Sequence, residues 1–187
     1  GFNVHPGEGK DTMINASLVA IEINNCLPSM ETPRGTEDYE GFYHLISMQG
    51  EVGEAKLNYI VRDHDKNGFE ERKKTLRLIE KNLNAKWGEG TVTLKITDQY
   101  LNMKEIVEEH MHLIDHAKKA CEAAGVAPLI LPIRGGTDGC QLSFKGLPCP
   151  NLGTGGHAFH GPYEHISVEG MEKSVELLLA LIQEYTK

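Results

Sequence analysis

The chain has no cluster of lysine and arginine, no long apolar run and no closely spaced cysteine pair, and each absence excludes a class of protein. Its 187 residues carry 19 basic against 27 acidic side chains, a net charge of −8. With that balance and no basic patch, binding to a nucleic-acid backbone is not expected. No stretch approaches the ~18–20 apolar residues of a membrane helix, so no membrane partner is expected either. Cys26, Cys121, Cys140 and Cys149 are scattered, without zinc-ribbon or thioredoxin spacing, and read as reduced thiols of a cytoplasmic protein. There is no internal repeat or low-complexity segment. The sequence opens Gly1-Phe2-Asn3-Val4-His5-Pro6, with neither the basic region nor the apolar stretch of a signal peptide. An opening that falls inside an element suggests a fragment.

What is present is the profile of an ordinary globular protein, 40% hydrophobic and 25% charged, long enough for one sizeable core or two small ones. Phe2 and Val4 alternate with Asn3 and His5 as a short strand stopped by Pro6. Asp11 or Thr12 can cap a helix with Ile14, Leu18 and Ile21 on one face. Residues 28–41 are rich in turn formers. Strands follow at 42–48 and 54–62, the latter closed by Asn67-Gly68, then a helix striped by Phe69, Leu76, Ile79 and Leu83, then a strand at 91–97. This β-α-β-β-α-β order predicts a ferredoxin-like unit over residues 1–102. Residues 103–187 differ. A long helix from about Met103 to Ala124 is expected, then an apolar strand at 126–133, a short helix opened by the Gly135–Gly139 turn and a short strand around Pro148–Leu152. A last helix carries Met171, Val175, Leu178, Ile182 and Tyr185 at helical spacing. With too few strands for a sheet of its own, this segment reads as part of a larger α/β domain.

Several polar residues are candidates for chemistry. If both helices cover one face of the sheet, His5 and Arg62 project from the other, where they could hold a carboxylate or simply be solvated. His112 and His116 stand at i and i+4 but opposite the apolar face of their helix and without the glutamate of an H-E-x-x-H site; a metal there is not the expected reading. His110 falls on the apolar face, as a hydrogen-bonded core histidine would. Arg134-Gly135-Gly136-Thr137-Asp138-Gly139 stands between an apolar strand and a helix, where free N–H groups favour an anion; it is neither a Walker nor a dinucleotide loop, and a plain capped turn with Asp138 as cap explains it equally. The loop 153–165 gathers His157, His160, Glu164 and His165 among glycines and prolines, and His160 could be a metal ligand, a general base or neither.

Taken in order, Asn3-Val4-His5-Pro6-Gly7, Met13-Ile14-Asn15-Ala16, Tyr59-Ile60-Val61-Arg62-Asp63, Arg134-Gly135-Gly136-Thr137-Asp138-Gly139 and Phe159-His160-Gly161 closely resemble the tripeptide aminopeptidases of the M20 metallopeptidase family. The resemblance runs through the whole chain but covers only the C-terminal half of such an enzyme. It implies an α/β (α+β) fold: a ferredoxin-like lid and dimerisation domain at 1–102, then the returning part of the catalytic domain at 103–187. It implies His5 as the lid histidine that stabilises the oxyanion, and Arg62 as the lid arginine that grips the peptide carboxylate. Arg134, Thr137 and Asp138 would contact substrate, and His160 would be the last ligand of a two-zinc site. The H-x-D ligand pair, the bridging aspartate, the general-base glutamate and the other acidic ligands are absent from this chain. The expectation is therefore a piece of a cytoplasmic dizinc aminopeptidase acting on small peptides. It would be inactive alone, homodimeric through the lid, and completed by the missing N-terminal half. The alternatives are a stand-alone non-catalytic binding or dimerisation module, and another M20 hydrolase such as a dipeptidase or an N-acyl amino acid hydrolase.

Overall fold

The computed structural model describes residues 1–99 and 101–186. They form two compact units, one of Gly1–Thr97 with Pro132–Gly135 and the other of Asp98–Leu131 with Gly136–Lys187.

The first unit is built on a hairpin. Strand β1 (Phe42–Gly50) pairs antiparallel with β2 (Ala55–Arg62), from Phe42 opposite Arg62 to Gly50 opposite Ala55, with an irregularity between Leu45 and Ser47. Helix α1 (Ala16–Asn25) precedes the hairpin and α2 (Lys66–Trp87) follows it. Period-2 alternation sends Tyr59 and Val61 of β2 to one face. There they meet Leu76, Ile79 and Leu83 of α2, Tyr43, Leu27, and Ile23 of α1. The two helices are tied together by Glu22, whose carboxylate accepts from Lys86 Nζ at 2.5 Å and from Trp87 Nε1 at 2.8 Å. On the other face, Asn58 donates to Ser47 Oγ at 2.7 Å near solvent.

The expected β-α-β-β-α-β order is thus realised in its middle, α1-β1-β2-α2, and the observed sheet has two strands among the described residues. The four-stranded ferredoxin-like sheet is not seen, for a local reason at each end. Phe2 makes a single two-bond bridge with Ile14, after which Pro6, which lacks an N–H, enters a 3₁₀ turn over Pro6–Glu8. Residues 91–97 form no strand, although Val92 and Leu94 pack on the core. Their backbone groups, however, are taken by side chains of α2. Asn84 bonds both the N–H and the carbonyl of Val92, at 2.8 and 2.9 Å, and Glu80 accepts from the Leu94 N–H at 2.6 Å.

Smaller corrections have equally local causes. Asn15, not Asp11 or Thr12, caps α1, accepting from the N–H groups of Ser17 and Leu18. The helix accordingly buries Ala16, Val19 and Ala20 while Leu18 and Ile21 are exposed. Asp65 caps α2 by accepting from Gly68 N–H at 2.7 Å, which places Asn67-Gly68 in the first helical turn rather than in a strand-closing turn.

In the second unit, α3 (Lys104–Val107) passes through a 3₁₀ turn, Glu108–His110, into α4 (His112–Ala123). The expected single helix is interrupted where Glu105, Glu108 and Glu109 stack like charges at i, i+3 and i+4. Neither strand expected at 126–133 or 148–152 forms. Pro128, Pro132, Pro148 and Pro150 deny those segments the donors a ladder needs. Helix α5 (Asp138–Ser143) and helix α6 (Val168–Glu184) complete the unit. Helix α6 packs on α4: Leu177 and Ala120 are buried, the rings of Tyr185 and His116 meet edge-on at 4.6 Å, and Lys173 Nζ donates to Ala124 O at 3.1 Å beside the α4 C-terminus. His116 is therefore half-buried against tyrosine rather than facing solvent, whereas His112 is exposed. The expected stripe of α6 faces outward instead: Met171, Val175, Leu178, Ile182 and Tyr185 are 46–62% exposed. No helix among the described residues is long and apolar enough to cross a membrane.

Candidate functional site

His5 follows the Phe2–Ile14 bridge and lies outside the sheet, exposed, with Nδ1 accepting from the Gly7 N–H at 3.1 Å. That bond leaves Nε2 as the outward-facing nitrogen and fixes the proton there when the ring is neutral. Arg62 ends β2, opposite Phe42, and is half-buried, with Nη1 donating to Val61 O at 3.2 Å. The next residue is held tightly. The Asp63 carboxylate accepts from Arg72, which also bonds Glu31 at 2.8 Å, and from the Asp65 N–H at 2.8 Å. A Cβ on Gly41 or on Gly68 would stand within 2.5 Å of Asp63 Oδ2, so glycine at both positions is what lets the carboxylate sit there. Sequence reasoning read Arg62 and passed over Asp63 and Arg72. The signal for them was an acidic residue directly after a strand and a basic one in the second turn of the next helix.

Arg134 belongs to the short segment that sits with the first unit. Its Nη1 donates to Thr36 O at 2.5 Å, and its Nη2 to Thr36 Oγ1 at 2.5 Å and to Glu40 O at 3.1 Å. The guanidinium lies over the Phe42 ring at 4.9 Å, a cation–π arrangement. Nε is shielded and unpartnered. Every oxygen it meets is neutral, so this half-buried cation has no carboxylate partner among the described residues. One residue earlier, His64 Nε2 lies 3.2 Å from Ile133 O. The segment is thus fastened at two points to residues 36–64. Because these bonds span 69–98 positions and most end on the backbone, no sequence pattern announced them.

The Gly-Gly-Thr-Asp-Gly turn does open a helix, but Thr137 is the cap, where Asp138 had been expected. Thr137 Oγ1 accepts from the Cys140 N–H at 3.3 Å and from Asn151 Nδ2 at 3.2 Å, and lies 3.4 Å from Cys140 Sγ. That hydroxyl is fully occupied within its own unit. Asp138, in the first turn of α5, is exposed and suits the positive end of the helix. A Cβ on Gly139 would meet Cys149 O at 2.4 Å, which explains the last glycine of the motif by close approach.

The histidine loop is a closed hairpin end. His157 and His165 exchange both backbone bonds, at 2.8 and 3.1 Å, and their rings stack with centroids 5.4 Å apart. Between them Ala158 and His160 have φ of 55° and 63°, a left-handed conformation that costs a non-glycine residue roughly 1–2 kcal/mol. Glu164 answers that cost: its carboxylate accepts from the His160 N–H at 2.8 Å. A hydrogen bond to a charged group contributes about 1.5–3 kcal/mol, less in an exposed loop, which is enough to offset the strain. The His160 imidazole is exposed and makes no hydrogen bond of its own. An imidazole with free nitrogens is chemically suited to zinc and fits one position of a zinc site. The described residues contain no group of three or more histidine, cysteine, aspartate or glutamate side chains that could hold a metal.

The sequence model of peptidase family M20/M25/M40 matches residues 6–184. The chain is 54% identical over all 187 residues to a Peptidase T of Clostridium perfringens, and 53% and 51% identical to those of Clostridium novyi and Caldanaerobacter subterraneus subsp. tengcongensis. In each case it covers 100% of itself and 46% of the relative, so it spans about half the length of the curated relatives it matches. Among solved structures it resembles the aminopeptidase PepT of Bacillus cereus, with a TM-score of 0.62 at 20% identity over 98% of this chain and 49% of that one. A tripeptidase from Staphylococcus aureus gives 0.61 at 16% identity, over 97% and 48%. Five motifs in register, a mixed α/β fold shared with these structures and a family match over nearly the whole length lead to one conclusion: the chain belongs to peptidase family M20/M25/M40.

Proposed function

We propose that this chain is the C-terminal part of a zinc-dependent aminopeptidase that removes the N-terminal residue from tripeptides. The observation that carries the reading is identity of 51–54%, across every residue of the chain, to relatives named Peptidase T that are about twice as long. The first unit corresponds to a ferredoxin-like lid that also dimerises, and the second to the returning part of a catalytic domain. We place the enzyme in the cytoplasm. Alone the chain is inactive, because the remaining metal ligands and the general base lie in the part of the relatives that it does not span. The uncovered stripe Met171, Val175, Leu178 and Ile182, with Leu129, Ile130 and Leu131 at 64–76% exposure, supports this. A helix apolar on two faces is normally buried on both, and here α4 is the main helix packed on α6 among the described residues.

Bound zinc would supply an activated water for attack on the first peptide bond. This chain's residues have separate tasks. His5 Nε2–H donates to the oxyanion that develops on the peptide carbonyl. Arg62 offers its donors to the substrate's terminal carboxylate as a planar fork. Arg134 and Asp138 each serve substrate contact, Thr137 does so through its backbone because its hydroxyl caps α5, and His160 gives its imidazole to the metal site. A grip on the terminal carboxylate would favour peptides with a free C-terminus.

The test combines this chain with the N-terminal part of the Clostridium perfringens relative and measures release of the first residue from a tripeptide, with and without zinc. Activity only in the combination is expected, and no activity in a soluble complex refutes the reading. In that complex Arg62→Ala should raise KM for tripeptides at least tenfold more than for their C-terminal amides. Equal changes would remove the carboxylate role. The competing reading, a non-catalytic binding or dimerisation module, draws on the lack of a complete ligand set among the described residues, and a stable complex that binds zinc but never turns over would favour it. Release of an acyl group or cleavage of dipeptides in place of tripeptides would point to another M20 hydrolase.

A further inference from the structure

We infer that Glu164 is the positioning residue for His160, holding its backbone in the left-handed conformation that fixes where the imidazole leaves the loop. The inference rests on the reading of His160 as a metal ligand, and deepens it. Three features of residues 157–165 converge. The His157–His165 bridge closes the loop with two backbone hydrogen bonds. Inside that closure Ala158 and His160 are both at positive φ, where neither is at ease. The strained stretch is pinned by two contacts: the Gly161 N–H on Ala158 O at 3.0 Å, and the Glu164 carboxylate on the His160 N–H at 2.8 Å. Glu164 is itself set in place through its own N–H, which donates to Gly161 O at 3.1 Å.

The geometry matters for a ligand because a side chain on a residue at φ near +60° leaves the backbone in a direction that the same residue at negative φ cannot reproduce. Without the carboxylate, His160 is free to relax toward negative φ, and its ring swings with it. The ring nitrogens carry no hydrogen bond that would otherwise hold the imidazole. The direction of its Cα–Cβ bond is therefore set by the backbone, which Glu164 helps to hold. Partners one step removed from a metal typically change affinity by about 10–100-fold when lost.

The experiment compares the parent with Glu164→Gln, which keeps an acceptor of the same reach, and Glu164→Ala, which does not. On the chain itself, amide hydrogen exchange of His160 followed by NMR should accelerate about tenfold in the alanine variant, with its Cα shift moving away from the left-handed value. In the glutamine variant the exchange rate should return to within threefold of the parent and the Cα shift to the parent's left-handed value. In the zinc-loaded complex with the N-terminal part of a relative, zinc affinity should fall at least tenfold for Glu164→Ala and recover for Glu164→Gln. Unchanged exchange in Glu164→Ala overturns the inference outright. Faster exchange with unchanged zinc affinity, while His160→Ala loses zinc, overturns the positioning role and leaves His160 as a ligand. Zinc retained in His160→Ala overturns the ligand reading and the positioning role together.

Discussion

Replacing Arg134 by methionine keeps the aliphatic stem and removes every donor. The guanidinium makes three hydrogen bonds to neutral oxygens of Thr36 and Glu40 and covers the Phe42 ring. At about 0.5–1.5 kcal/mol net per bond and roughly 0.5–1 kcal/mol for the ring contact, the gross loss is about 2–5 kcal/mol. Two terms reduce it. The Thr36 and Glu40 carbonyls lie in a loop that water can reach, and methionine also deletes the shielded, unpartnered Nε, whose burial costs about 1–3 kcal/mol. The net is about 2 kcal/mol, all of it on the opening of residues 28–41, or about a 30-fold larger open population. Arg34 sits in that loop, exposed, before Gly35, so trypsin reads the opening directly. Cleavage follows the open population when reclosing is fast. Limited digestion with mass-spectrometric quantitation of the Arg34–Gly35 cut should therefore show about 30-fold faster nicking in Arg134→Met. Thr36→Val, which loses one acceptor, should give about 3–5-fold. Nicking within twofold of the parent in Arg134→Met, with other cuts unchanged, would refute the clasp.

Glu22 titrates below the ordinary glutamate range because the Lys86 and Trp87 hydrogen bonds favour its charged form. Its contribution is present above the unfolded value and lost as pH falls through the folded one. Fluorescence of the only tryptophan, Trp87, should change with a midpoint under the usual glutamate value and move up in Lys86→Met; no change between neutral pH and acid unfolding would refute the link. Leu83, 4% exposed in the first unit's cluster, should cost about 2–5 kcal/mol as alanine and under about 1.5 as methionine in urea unfolding, and a loss below 1 for alanine would contradict that core. Leu178→Lys with Ile182→Lys should change stability by less than about 0.5 kcal/mol, since both are at least half exposed, yet reduce hydrophobic-dye binding and self-association of the chain; a large loss of stability would mean that this face is covered.

What the sequence made legible follows from what periodicity encodes. Strands at 42–48 and 54–62 and the stripe Leu76, Ile79, Leu83 are written by alternation and by 3.6-residue spacing, and the structure has β1, β2 and the buried face of α2 there. Pairing partners are not written that way. Nothing in the alternation of 91–97 distinguishes a ladder from a strap whose N–H and carbonyl groups are held by Asn84 and Glu80. Caps were misread by a few residues because several capping types compete in a row: Asp11, Thr12 and Asn15 before α1, Thr137 and Asp138 before α5. Roles for His5, Arg62, Arg134 and His160 come from the family resemblance, which says nothing of their surroundings. What surrounds them is not, since Arg134 reaches Thr36 across 98 positions and only tertiary structure creates that contact.

The deeper mismatch between pattern and structure lies in the second unit, and it has a single physical origin. A 3.6-residue apolar period says that a helix face is destined for burial, without saying whether the covering atoms belong to the same chain. In α2 the period and the burial coincide, because the hairpin and α1 supply the cover. In α6 they part: Leu177 is buried against α4 while Met171, Val175, Leu178 and Ile182 carry an equally regular apolar stripe into the open. Residues 126–133 repeat the disagreement: they are apolar as a buried parallel strand would be, yet they form no strand among the described residues and are broken by two prolines. The same chain that leaves these surfaces bare offers one imidazole and no complete ligand set among its described residues. Under the proposed function, one additional polypeptide would both cover these apolar faces and complete the donor set around His160.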